Sequence, residues 1–111
     1  MANAFKTFTA QNIDTSSSKA TLYTCPSSTE TTIIGLNIAN ILTVSITVTV
    51  ELLDGGSPIT HVVKDAIVPV GSSLVAVGGP QKIVMNATDA LKVYGSQANC
   101  CDAVMSVLEI T

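Results

Sequence analysis

LTVSITVTVELLDGGSP, residues 42–58, admits two readings. With the residues before it, the run from position 33 to 53 carries a single charge, Glu51. By length alone such a run could cross a bilayer as a helix. Its internal order favours strands. Val44, Ile46, Val48, Val50 and Leu52 alternate with Thr43, Ser45, Thr47, Thr49 and Glu51. A period of two places one set on each face of a sheet, whereas on a helix the apolar set would spread around the whole circumference. The β-branched residues that dominate the run also favour strands. Asn37 and Asn40 interrupt it with amides that are costly in lipid. The run therefore reads as two strands, 32–39 and 43–53, joined near Asn40, and no membrane insertion is expected.

The same punctuation continues on both sides. Short strands are expected at 5–9, 20–25, 59–64, 74–77, 82–85, 91–94 and 103–110. Asp54-Gly55-Gly56-Ser57-Pro58, Pro69 to Ser73, Gly78-Gly79-Pro80 and the NATDA segment at 86–90 supply turns, and 15–19 is a loop. No window shows a sustained 3.6-residue repeat. Eight or nine short strands with frequent turn signals predict an all-β fold: one antiparallel β-sandwich or jelly roll spanning residues 1–111. The expected core includes Leu22, Ile34, Leu36, Ile38, Val44, Ile46, Val48, Val50, Leu74, Val84, Leu91 and Val93. The last strand carries apolar residues on both faces, so its inward face is not assigned. An N-terminal arm is expected at residues 1–10.

Composition narrows the functional classes. The 111 residues suffice for one domain. Charged residues make up 12% against about 25% in ordinary soluble domains, so the exterior must be largely Thr, Ser, Asn and Gly. Such a surface is a liability for a free monomer and easier to explain if a partner covers it. The net charge is −3, the five cations are scattered lysines, and there is no Arg or Trp. That excludes the clustered basic and stacking groups of a nucleic-acid binder. The N-terminus lacks the apolar segment of a signal peptide, so synthesis and folding in a cytoplasm are expected. Cys25 is isolated and Cys100 and Cys101 are adjacent. They read as small buried hydrophobes rather than metal ligands, because the one histidine, His61, has no ligand cluster beside it.

No catalytic constellation appears. Asp54, Asp65, Asp89 and Asp102 each sit where a turn would use a carboxylate as a local cap. His61 has neither a nucleophile elbow nor a partnered acid at a recognisable spacing. Gly78-Gly79-Pro80 lacks the strand–loop–helix setting of a phosphate loop. No enzyme, metal or cofactor is expected. Two exposed turns and the N-terminal segment remain as contact candidates, with Phe5, Phe8, Asp54, Ser57, Pro58, Pro80 and Gln81 as contact residues.

FKTFTAQNI, LYTCPSSTETTIIGLNIAN, ELLDGGSPITHVVKDAIVPVGSSL, GGPQKIVMNATDALKVYGS and the final SVLEIT resemble segments of small virion proteins of tailed bacteriophages. The resemblance covers nearly the whole chain and rests on strand and turn phrases. Cys100-Cys101 departs from it, and no functional residue can be carried over. It implies a non-enzymatic structural protein of the particle, above all a capsid decoration or cement protein bound to the major capsid protein. The alternative is a neck or tail component such as a collar, connector or fibre anchor. It also implies a virion location, and the aliphatic excess and low charge lead us to expect a homo-oligomer, with a trimer about a local three-fold favoured.

Overall fold

The computed structural model describes residues 2–56 and 58–111. The chain runs β1 (Asn3–Ile13), β2 (Ala20–Thr24), β3 (Glu30–Asn40), β4 (Ile46–Leu53), β5 (Ile59–Val68), β6 (Ser73–Val77), β7 (Ile83–Met85), β8 (Ala90–Gly95) and β9 (Cys101–Ile110). Single 3₁₀ turns lie at Ser16–Ser18 and Asp54–Gly56. One sheet has the order β1-β9-β3-β6, with β7 paired to the other half of β3. The second has the order β2-β8-β4-β5. Every pairing is antiparallel. Successive strands repeatedly change sheet, and the two late strands β8 and β9 fill the middles. This is jelly-roll connectivity.

The apolar run that raised the membrane question forms β3 and β4, one in each sheet. Asn40 makes the break between them. Its side-chain amide donates to the carbonyls of Val44 (2.8 Å) and Val68 (3.0 Å), and its carbonyl oxygen accepts from the Leu42 amide (2.8 Å). One side chain thus ties the β3–β4 loop to the end of β5.

Between the sheets lie Ile13, Leu22, Ile33, Leu36, Ile38, Ile46, Val48, Val50, Val68, Val77, Met85, Leu91, Val93, Met105 and Val107. Each large aliphatic buried there contributes about 1.5–3 kcal/mol relative to exposure. In β9 the inward set is Cys101, Ala103, Met105, Val107 and Glu109.

Three expected core residues lie elsewhere. Ile34 is the extra residue of a β-bulge: pairing with β9 steps from Ile33↔Val107 to Gly35↔Ser106. A bulge exchanges the faces of all residues beyond it. Ile33 is therefore fully buried and Ile34 only half-buried, although Leu36 and Ile38 point inward. Val84 is exposed because it opposes outward-facing Thr32, and its neighbour Met85 turns in. Val44 lies in the β3–β4 loop and is exposed. Leu74 is partly buried against the core.

Candidate assembly surface

Both outer faces of the sandwich expose apolar side chains, Ile67 of β5 among them at 72%, but they differ in charge. On the four-stranded sheet, Glu51 of β4 lies in register between His61 of β5 and Lys92 of β8. Its carboxylate accepts from Lys19 Nζ at 2.9 Å and faces His61 Nε2 at 3.5 Å. Lys19 also sits over the Tyr94 ring, 5.4 Å from its centre. Glu51 is thus buried on the outward side of its strand, beneath its own ion partners. Thr49, two residues earlier, accepts from the Asp65 amide (3.0 Å) and holds the bulge there, where Asp65 has φ 50°. The alternating threonines of β4 therefore do not form a bare polar stripe.

On the five-stranded sheet the outward residues fall into rows. Phe5 opposes Leu108, which opposes Thr32, which opposes Val84. A second row runs Thr9, Val104, Asn37, Val75. Among the described residues of this face, charge is confined to its ends, at Glu30 and Asp102. Phe5 is 78% exposed, Val75 65% and Val84 59%. Only Phe5 and Leu108 are apolar cross-strand neighbours; Val84 faces Thr32, and Val104 and Val75 flank Asn37, so exposed aliphatic side chains alternate with uncharged polar ones. The face is thus weakly charged and mixed, with apolar side chains set among Thr7, Thr32, Asn37 and Ser106.

Beneath that face a buried polar network holds the edge strand. Glu109 of β9 accepts from Lys6 Nζ of β1 at 2.8 Å and from the Tyr23 hydroxyl of β2 in the opposite sheet. The Tyr23 oxygen also lies 2.8 Å from Thr31 Oγ1. The Lys6 hydrogen bond, then that of Tyr23, pulls the Glu109 carboxyl below its ordinary value. Burial, then the bond to Glu109, pushes the Tyr23 phenol above its own. Phe8 packs against Tyr23 with ring centres 4.6 Å apart.

The contact residues expected from sequence are dispersed. Phe5 lies on the neutral face. Phe8, three residues on, points inward and packs on Tyr23. From Asn3 onward, the segment expected as an arm is β1, paired with β9. Asp54 and Pro58 are exposed in the β4–β5 turn of the other sheet, and Ser57 lies outside the described residues. Pro80 and Gln81 are exposed in the turn between β6 and β7, at the sheet edge opposite β1. Val75, Val84, Val104 and Leu108 share a sheet face with Phe5, Leu108 directly beside it, and sequence alone does not place them there. Their only signal was an apolar residue at an outward position of a strand whose other face is also apolar.

The remaining chemistry is structural. Asp89 accepts from the amides of Gly55 (2.9 Å) and Asn86 (3.0 Å), bracing two turns, and Asp102 accepts from the Asn12 amide at a bulge (2.9 Å). All three cysteines are buried free thiols. Cys100 precedes β9 rather than lying in it, so strand alternation does not separate it from Cys101, and the sulfurs lie 3.7 Å apart. Burial, then the neighbouring Cys100, pushes the Cys101 thiol up to about 12. That keeps it protonated and unreactive at neutral pH. Among the described residues there is no pocket for a small molecule and no cluster of three or more metal-ligating side chains.

The fold recurs in assembled protein structures. A subunit of the disulfide-linked pili of Bacillus endospore appendages superposes with a TM-score of 0.59 at 18% identity, covering 99% of this chain and 87% of that one. A chain from the acid-stable capsid of the Helicobacter pylori bacteriophage KHP30 superposes with a TM-score of 0.52 at 10% identity, covering 100% and 89%. At these identities the likeness is one of fold. No protein-family model matches the sequence, and no curated protein is similar to it in sequence.

Proposed function

We propose that this chain is a non-enzymatic structural protein of a phage virion, a capsid decoration or cement protein that docks on the major capsid protein and stabilises the shell. The observation that carries the reading is the nearly uncharged outer face of the five-stranded sheet, where exposed Phe5, Val75, Val84 and Val104 stand among Thr, Ser and Asn side chains. A cement protein needs a rigid body and a face that excludes water at a junction; it needs no chemistry. Each such contact buries roughly 1,000 Å², modest alone, but contacts to several subunits act together. The jelly roll shared with a phage capsid chain supports the assignment to a particle, and so does the resemblance to small virion proteins.

Quantitative mass spectrometry of purified particles tests this reading, as the ratio of this chain to the major capsid protein. A ratio near one, or a sizeable fraction of it, is the expected result. A ratio of a few per cent would move the protein to the neck or tail, and complete absence would overturn the virion reading. A second reading, a subunit of a self-assembling surface fibre, is favoured by the likeness to the appendage pilus. It requires the purified chain to form filaments visible by negative-stain electron microscopy.

A further inference from the structure

We propose that the chain forms a two-fold dimer in which β1 pairs antiparallel with β1 of a second copy, centred on Thr7. A jelly roll has four open strand edges, and an open edge invites pairing with another chain unless it is short, bulged, charged or interrupted by proline. Three of the four edges here are blunted in these ways. β2 has five residues, a register break between Thr21 and Tyr23, and Pro26 just beyond it. β5 carries His61, Lys64 and Asp65 and has two register breaks. β6 and β7 have five and three residues, separated by Gly78-Gly79-Pro80. The fourth edge is blunted only at its far end, where a register break lies between Ala10 and Ile13. β1 has eleven residues and no proline, and its register with β9 is unbroken from Asn3 to Ala10. Its one charge, Lys6, would ordinarily protect it, but that charge is neutralised within the molecule by Glu109 at 2.8 Å.

The backbone shows which groups are free. Ala2 and Thr111 exchange both of their backbone hydrogen bonds, at 3.1 and 2.9 Å. Alternation then commits the N–H and C=O groups of Ala4, Lys6, Phe8 and Ala10 to β9. The corresponding groups of Asn3, Phe5, Thr7 and Thr9 point away from the sheet. These are the residues whose side chains lie on the neutral outer face.

What fits this edge is an extended, weakly charged strand, and β1 itself is one. Pairing about Thr7 sets Thr7 opposite Thr7, Phe5 opposite Thr9 and Lys6 opposite Phe8 of the second copy. The pairs Phe5–Thr9, Thr7–Thr7 and Thr9–Phe5 would exchange about six hydrogen bonds, while Lys6 and Phe8 stay bonded to β9. No like charges meet. Centring the pairing on Lys6 instead would set two lysines face to face, which destabilises a strand pair. The contact is isologous and therefore closes at two copies. It joins the two five-stranded sheets edge to edge and extends the neutral face from one copy into the next. The proposal concerns the isolated chain, so it stands or falls independently of any place in a virion, and it replaces the trimer expected from the sequence.

The test uses the full chain. Sedimentation velocity should give twice the 11.4 kDa chain mass. Thr7→Pro removes an N–H that β9 does not use and is compatible with an edge strand. It should give a monomer with unchanged far-ultraviolet circular dichroism. Thr7→Cys should cross-link to a covalent dimer on mild oxidation, because such paired residues lie about 5.5 Å apart between Cα atoms. Thr21→Cys, exposed on the β2 edge, should not cross-link. A wild-type monomer, a trimer, or a dimer that persists in folded Thr7→Pro would overturn the proposal. If Thr7→Pro fails to fold, the Thr7→Cys experiment decides, and absence of a cross-linked dimer overturns it.

Discussion

The Tyr23 hydroxyl crosses the sandwich to donate to Glu109, so one phenol joins β2 of one sheet to β9 of the other. Tyr23→Phe keeps the ring against Phe8 but leaves the buried carboxylate and Thr31 one partner short. Loss of a hydrogen bond to a buried charged group costs about 2 kcal/mol. Chemical denaturation should show a loss of that size, and a change below about 0.5 kcal/mol would mean that the bond contributes nothing net.

The same network sets the acid stability. Glu109 has a folded pKa below its unfolded one. Its contribution is therefore complete above the ordinary carboxylate value of about 4.3 and is lost as pH falls through the lower folded value. Lys6→Met removes the main cause of the depression. Its acid-unfolding midpoint, followed by circular dichroism, should move to higher pH than that of the wild type. Glu109→Gln should show a shallower loss of stability with acid.

Gly95 leaves no room for a side chain. A Cβ there would overlap the sulfur of Cys100, which is itself fully buried. Gly95→Ala should cost about 1–3 kcal/mol through overpacking. Adding Cys100→Ala removes the sulfur and should recover most of that cost, giving a coupling of about 1 kcal/mol or more in a double-mutant cycle. Additive effects would show that the clash relaxes some other way.

The bulge in β3 separates two adjacent isoleucines. Ile33→Ala empties a fully buried site and should cost about 2–5 kcal/mol. Ile34→Ala, at the half-buried bulge position, should cost clearly less. Thermal or urea unfolding of the two variants measures the difference. Equal losses would place the bulge elsewhere.

Those two isoleucines also mark how far the sequence could be read. The β-structure was legible because alternation and turn residues are local signals, and Val48 and Val50 were assigned inward for that reason. Alternation cannot place Ile34 or Val84, because a bulge, or a three-residue strand, leaves no local pattern to count. Phe5 was legible as an exposed contact candidate. Its neighbour Leu108, and Val84 and Val104 elsewhere on the same face, were not, because only cross-strand register places residues so distant in the chain on one surface. Glu51 and Glu109 look like surface carboxylates in sequence. Their burial depends on Lys19, His61, Lys6 and Tyr23, which only the folded topology brings to them.

The central places of β8 and β9 have a consequence for synthesis. β1 and β3 meet only through β9, and β2 and β4 only through β8. As the chain leaves the ribosome, β1 and β2 have no sheet neighbour until these late strands emerge, whereas β4 can pair with β5 and β3 with β6 and β7 before then. The sheets must therefore close largely after their early strands have waited in solution. Nascent chains in that interval leave the inner faces of the half-built sheets uncovered, the stage at which a chain is most prone to aggregate.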